Sequence, residues 1–374
     1  MFDFTFTHGS LSLGLYCFLF FVILVSVNYT TCTNPYIFRG YPSYKRLLFL
    51  IGVAVFSVTC FINGDFYNYQ ELVHEYDFSI AASNHVEPVY GFIIRIIDRN
   101  YLLFRIIVWG GGFIILTKAI KCLGLDDYKV IYYLMASFIL TFSYARASLA
   151  FSIYFLGLAF VCSPINKTLI KRLLGLVLIV SSYFFHHSMV IAIALTPIIL
   201  LPFDRITIVL GALLIPVIFS LFSNVINSVI NNGVFLDNEE LADQIAFYAE
   251  RTTNAINWKG RIYEWSNYAS FFLPLAIITF NCYFRKNGLL PFYIEVFYKI
   301  AFSLTLVAIM FLFLDIEGKV FFYRILFMTF IPLSIVVYYA AANRLISRKM
   351  FLFLIYVGLG AQLFRFLYSM YLYI

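Results

Sequence analysis

Residues 144–200 read YARASLAFSIYFLGLAFVCSPINKTLIKRLLGLVLIVSSYFFHHSMVIAIALTPIIL. Three apolar runs, 147–163, 173–186 and 188–202, follow one another with only short polar joints between them. The first joint holds Lys167, Lys171 and Arg172, and the second is the triplet His186, His187 and Ser188. A helix needs about 20 apolar residues to cross the hydrocarbon core, because backbone groups left unpaired in lipid are too costly. Runs of this kind, so closely joined, read as consecutive membrane spans.

Working outward in both directions, the same pattern recurs. Further spans are expected at 11–31, 47–63, 101–118, 129–144, 206–222, 268–284, 297–314, 321–341 and 350–371, about twelve in all. The whole chain of 374 residues is 63% hydrophobic, 20% aromatic and 12% charged, with mean hydropathy +0.90. Globular domains carry roughly 25% charged residues, so no water-facing surface can be built from this composition. The expected fold is therefore all-α: one polytopic integral membrane domain over 1–374, without Pro/Gly/Ser linkers, low-complexity runs or repeats. The opening MFDFTFTHGS has no Lys or Arg, lacks the positive region of a secretory signal peptide, and reads as leading into a retained first helix. The six cysteines are scattered, with no CxxC and no metal-type Cys/His spacing.

Basic residues collect in alternate joints: Arg39, Lys45 and Arg46; Lys118, Lys121 and Lys129; Lys167, Lys171 and Arg172; Arg205; Arg285, Lys286 and Lys299; Arg344, Arg348 and Lys349. The positive-inside rule makes these joints cytoplasmic. The opposite, outer side then holds the long segments 64–100 and 223–267 and the short 315–320, which carry most of the nineteen acids. Arg95, Arg99, Arg146, Arg251, Arg261 and Arg324 sit on that side against the rule. Such arginines either pair with the acids and snorkel to headgroups, or hold an anionic ligand through bidentate hydrogen bonds.

Segment 64–100 includes GDFYNYQELVHEYDF and a short amphipathic helix expected at Gly91–Ile97, and 223–267 includes NWKGRIYEWSNY. Rings and charges together suit sugars, whose apolar faces stack on aromatics while their hydroxyls take hydrogen bonds; an interfacial aromatic belt has the same composition. Arg146 stands at the hinge between two spans, a depth at which an ionisable group is a functional candidate. Adjacent helical residues point about 100° apart, so only one of His186 and His187 can face a pocket, where it would act as a base near neutral pH. Arg365, inside the last span, is harder to explain as a snorkelling anchor than Arg324. The chain has no GxSxG, HExxH or P-loop, which removes the usual support for hydrolase, protease and nucleotide-driven pump readings.

From Gly64 to Pro332 the order of short motifs resembles the EpsG family of Wzy-type polysaccharide polymerases. The pieces are GDFYNY, EPVYGF, YARASLA, FFHHS and the late Tyr323–Arg324 opening a helix. Three positions depart from the family pattern. Ala147 replaces the glutamine of an Arg-Gln pair, Val89 stands in place of a glycine, and His186 rather than His187 fits Phe-His-x-Ser. The resemblance implies glycosyl transfer from undecaprenyl pyrophosphate to a sugar hydroxyl of the next lipid-linked repeat unit, at the outer face of the bacterial inner (cytoplasmic) membrane. It also implies a flippase and a chain-length regulator as partners, and no nucleic acid. In that chemistry a pyrophosphate leaving group needs cations, a role assigned to Arg146 and Arg324 and then Arg261, with no cofactor and no bound metal. The attacking hydroxyl benefits from a base: His186 first, then Glu87 or Asp65. An O-antigen ligase would use similar chemistry on a lipid acceptor. A lipid-linked oligosaccharide flippase should instead place polar groups near the bilayer midplane, and a membrane acyltransferase would need an acyl donor.

Overall fold

The structure is a computed structural model. It describes residues 11–34, 43–60, 65–76, 87–144, 147–165, 168–200, 211, 258–285, 290–311, 322–323 and 325–373. These residues form helices and turns, with no strand among them. In chain order the helices are α1 (Leu11–Cys32), α2 (Ser43–Thr59), α3 (Asp65–Glu75), α4 (Pro88–Ile96), α5 (Tyr101–Cys122), α6 (Asp127–Tyr144) and α7 (Ala147–Cys162). They continue as α8 (Leu169–Phe185), α9 (Met189–Ile199), α10 (Trp258–Thr279), α11 (Phe292–Phe311), α12 (Phe330–Ala342) and α13 (Arg348–Tyr373). A π-helical turn, Ile106–Gly110, interrupts α5, and another, Phe280–Phe284, extends α10.

Every expected span except 206–222 meets a helix along its length; that span apart from residue 211, together with Arg205 and Arg251, lies outside the described residues. Among the described residues, Leu15–Cys32, Tyr101–Cys122, Phe292–Phe311, Ile325–Ala342 and Arg348–Tyr368 are long and apolar enough to cross a membrane, and Ala147–Cys162 and Met189–Ile199 are shorter apolar helices. The chain is an all-α, multi-pass membrane protein.

The contrast between α7 and α8 shows how the bundle is built. Helix α7 is buried all round, with Val161 its one position not fully covered; a helix apolar on every face belongs at the centre. Helix α8 buries only Gly175, Ile179 and Ser182, and exposes Leu169, Ile170, Leu173, Val177 and Val180, a face suited to lipid. The two helices cross at Gly157 and Gly175, where a Cβ on Gly157 would stand 2.6 Å from the Gly175 carbonyl oxygen. Small residues let backbones approach in this way, and interhelical packing in lipid depends on such approach. Farther across, Phe138 of α6 lies 4.9 Å from Phe271 of α10 and 6.3 Å from Phe330 of α12, and Phe151 of α7 joins Phe330 at 6.0 Å, so an aromatic layer ties four helices together.

One end of the bundle gathers the basic joints. Arg46 pairs with the fully buried Asp127, whose other oxygen lies 3.3 Å from Lys121 Nζ; Lys129 Nζ donates to the Asn34 carbonyl at 2.9 Å. Nearby, Ser163 Oγ donates to the Cys122 carbonyl at 2.7 Å. Burial pushes the Asp126 carboxyl up and Asp127 adds to the effect, while Lys129 and Arg46 oppose it. Two expectations need correction. Lys299 is not in a basic joint: it lies within α11, almost fully buried, with its Nζ 3.1 Å from Glu295 one turn earlier. Helix α10 begins at Trp258, so the last part of the segment expected to be an outer loop, 223–267, is helix.

Candidate functional site

The opposite end of the bundle carries segment 64–100, expected on the outer side, which folds as helices α3 and α4 around a stretch outside the described residues. Pro88 opens α4, where its missing N–H costs nothing. Helix α4 starts there, three residues ahead of the expected Gly91, and buries Tyr90, Gly91 and Ile94. Gly91 is required by close approach, since a Cβ there would meet the Tyr76 hydroxyl at 2.2 Å. Tyr90 lies edge-on to Phe104 of α5, and Tyr69 of α3 leans on Trp109, also of α5.

Two arginines fix this platform. Arg99, in the left-handed turn between α4 and α5, donates from Nη2 to the Tyr76 carbonyl at 2.8 Å and so holds the end of α3. Arg105 is fully buried; it donates to the carbonyls of Ser57 (2.9 Å), Cys60 (3.2 Å) and Val58 at the end of α2, and its guanidinium lies 4.3 Å from the Trp109 ring centre. A helix's last carbonyls lack partners of their own, so a buried guanidinium can satisfy several at once. The sequence reading missed Arg105 because its neighbours are those of an apolar span, 101–118. Its signal was being the one arginine inside that run.

Glu87 is the residue ahead of α4, yet its side chain makes no capping bond to that helix. It turns instead to His186, 99 residues away, with Oε1 2.6 Å from His186 Nδ1. The Glu87 side chain is 6% exposed and that of His186 20%, so the contact is mostly shielded from water on one side and reachable on the other. Helix α8 stops just before His186, whose backbone is extended (φ −165°, ψ 119°). The chain turns through His187 and Ser188 straight into α9, with Met189 N donating to the His186 carbonyl at 3.0 Å. Of the two histidines, His186 meets the acid, and the break in the helix at this residue, not helical spacing, sets the two rings apart. His187 packs tilted against Tyr183, with ring centres 5.0 Å apart. Ser188, which follows in the same motif, keeps a buried hydroxyl oxygen with no hydrogen-bond partner among the described residues.

An ionised carboxylate only accepts, so Nδ1 of His186 donates to Glu87 and Nε2 is the ring atom through which a proton can be taken. The structure therefore brings together two of the three residues considered as bases. Asp65 opens α3, and its side chain lies outside the described residues. Arg261 is in the first turn of α10, its side chain likewise outside them, and Arg146 and Arg324 are outside them altogether. Beside Arg324, Tyr323 stacks on Tyr268 of α10, and their hydroxyls are 3.0 Å apart.

The sequence model of the EpsG family matches residues 43–373. The chain belongs to the EpsG family. The match is wider than the resemblance at 64–332 and takes in α2 and all of α13. EpsG-like proteins are Wzy-type polymerases, so membership indicates a glycosyltransferase-type polymerase acting in polysaccharide synthesis. No curated protein and no solved structure matches the chain.

Proposed function

We propose that this EpsG protein extends a surface polysaccharide at the outer face of the bacterial inner membrane, using undecaprenyl-pyrophosphate-linked glycan as donor and the next lipid-linked repeat unit as acceptor. The observation that carries this reading is the Glu87–His186 contact at the acidic end of a membrane bundle. A carboxylate that orients an imidazole is an arrangement for taking a proton from a hydroxyl.

In the reaction the acceptor hydroxyl oxygen forms a bond to the anomeric carbon of the growing glycan. The bond from that carbon to the pyrophosphate oxygen breaks, and undecaprenyl pyrophosphate leaves. The hydroxyl proton passes to Nε2 of His186, while Glu87 keeps Nδ1 protonated and the ring oriented. Arg146 and Arg324, with Arg261, are assigned to the negative charge that develops on the leaving group. This makes Glu87 a positioning residue, with Asp65 the remaining alternative as base. A flippase that delivers the repeat units and a chain-length regulator are the expected partners.

The test is the surface-polysaccharide ladder from cells lacking the gene, complemented with wild type, Arg146→Ala, Arg324→Ala or His186→Ala at matched membrane levels. Glycan capped with one repeat unit in the deletion strain and in the variants is the expected result. An unchanged ladder in the deletion strain refutes the polymerase reading; full ladders from the arginine variants refute the leaving-group assignment.

A further inference from the structure

Helix α5 changes character partway along. Its outer piece, Tyr101–Arg105, runs into the π-helical turn Ile106–Gly110, and Gly111 and Gly112 follow at once. The three glycines stand there for different reasons. A Cβ on Gly112 would lie 3.3 Å from the Leu149 Cα of α7, so close packing explains that one. Around Gly110 the nearest atom is a Val58 methyl at 3.9 Å, and around Gly111 there is nothing within 4 Å. Both have ordinary helical backbone angles (φ −65° and −61°), so alanine would fit at either position. Glycine inside a helix is less stable than alanine, because it gives up more backbone freedom on folding. What it supplies in return is ease of bending, and helices kink at glycines and at π-turns.

This soft point separates two firmly held pieces. Below it, α5 packs on α7 through Gly112. Above it, α3, α4 and the start of α5 form one unit, joined by Arg99 on the Tyr76 carbonyl, Gly91 against the Tyr76 hydroxyl and Tyr90 against Phe104. Arg105, bonded to the carbonyls of Ser57 and Cys60, fastens the joint itself to the end of α2. The upper unit carries Glu87 at the start of α4, whereas His186 follows α8, which packs on α7 through Gly175. A change of angle at Gly110 and Gly111 therefore acts directly on the Glu87–His186 contact. The joint also keeps two buried polar atoms without hydrogen-bond partners among the described residues: Trp109 Nε1, in the π-turn, and Gln70 Oε1, next to the Tyr69 that leans on Trp109. Unpaired buried atoms are costly, and a shift of α3 over Trp109 is one way to pair them. The His186 side chain is only 20% exposed, and a sugar that brings a hydroxyl to Nε2 needs more room than that.

We propose that α5 is hinged at Gly110 and Gly111. About this hinge the α3–α4 unit swings away from α8, parting Glu87 from His186 to admit the glycan, and closes again to orient the ring. Closure of this kind completes a catalytic arrangement only once substrate is in place. The purpose of the swing rests on the polymerase reading above; its existence does not.

The experiment measures the distance between spin labels at Phe92→Cys on α4 and Phe184→Cys on α8, both exposed positions, by pulsed electron resonance. It uses the full-length protein in lipid nanodiscs, with Cys122, the one native cysteine that is not buried, replaced by serine. The native hinge is expected to give two distances, and the double variant Gly110→Ala, Gly111→Ala only the shorter. The same double variant should raise the melting temperature and slow glycan extension roughly 10-fold. A single distance with the native hinge overturns the proposal, as do two distances that persist in the alanine variant. Loss of the longer distance with an unchanged extension rate overturns the role of the swing in turnover. An intact ladder in the deletion strain refutes the polymerase reading and with it that role, while the distances still decide the hinge. If the double variant does not accumulate, Gly111→Ala alone makes the same comparison; failure of both to accumulate shows that the glycines serve packing and overturns the proposal.

Discussion

The two ends of the bundle each bury a carboxylate, and they use it differently. At the basic end Asp127 lies between the guanidinium of Arg46 and the ammonium of Lys121. At the acidic end Glu87 faces His186, a ring whose kind changes charge near neutrality. The first arrangement can only hold loops together. The second can hold a ring and also let it take up a proton, which is why the candidate site belongs at that end although cations are more numerous at the other.

The largest effect that would sharpen this contrast comes from the imidazole. His186→Ala is expected to lower the polymerisation rate by about 10²–10⁴-fold, the usual contribution of a general base, with the protein still reaching the membrane. Glu87→Gln should cost less, because the amide still meets the ring and only its tautomer and orientation are disturbed. Rates of glycan extension by purified protein would measure both. A larger loss from Glu87→Gln than from His186→Ala would reverse the roles of base and positioning residue.

Next in size are changes between the two ends. Gly157→Ala forces a methyl against the Gly175 carbonyl and should cost about 1–3 kcal/mol of stability, seen as a lower melting temperature in detergent. Its activity per folded molecule should be retained, and a selective loss of activity would show that the α7–α8 crossing shapes the site.

At the basic end, Arg46→Ala should cost about 1–3 kcal/mol, because Asp127 is fully buried and keeps only Lys121 at 3.3 Å, while Arg46 itself is partly open to water. Thermal unfolding measures it, and a loss of polymerisation without a loss of protein would break the division of labour between the ends.

The smallest effect concerns Asp126. Its carboxyl is held above the ordinary range, chiefly by burial, so the folded state favours the protonated form. Its stabilising contribution is complete below the unfolded value and is lost as the pH rises through the folded one. At neutral pH the ionised group is therefore a small burden. Asp126→Asn should raise the melting temperature slightly there, keeping an oxygen for the Tyr128 N–H now bonded at 3.1 Å. The gain should vanish on acidification, and a gain that persists in acid would refute this account.

The spans were legible because each is a local property. The run Ala147–Cys162 announces a helix in lipid by its length and lack of charge, whatever it packs against. Glu87 and His186 were each visible as candidates, but nothing local ranked Glu87 above Asp65, since the choice depends on which carboxylate comes within reach of a residue 99 positions away. Helix periodicity does not apply at His186, because the helix ends one residue before it. The arginines divide in the same way. Arg99 stood out as a residue on the wrong side, yet only the fold shows it holding the Tyr76 carbonyl, and Arg105 passed as part of an apolar run.

The sequence by itself determined that this chain crosses a membrane many times, which joints share a side, and which family it resembles. These follow from the transfer of each segment into lipid and from charges counted joint by joint, quantities that add along the chain. Tertiary structure decided which acid meets which histidine and which arginines serve the fold. Those depend on the rotation and register of helices against one another, and a single close contact such as Gly157 on Gly175 or Gly358 on Ser137 sets them for a whole helix at once.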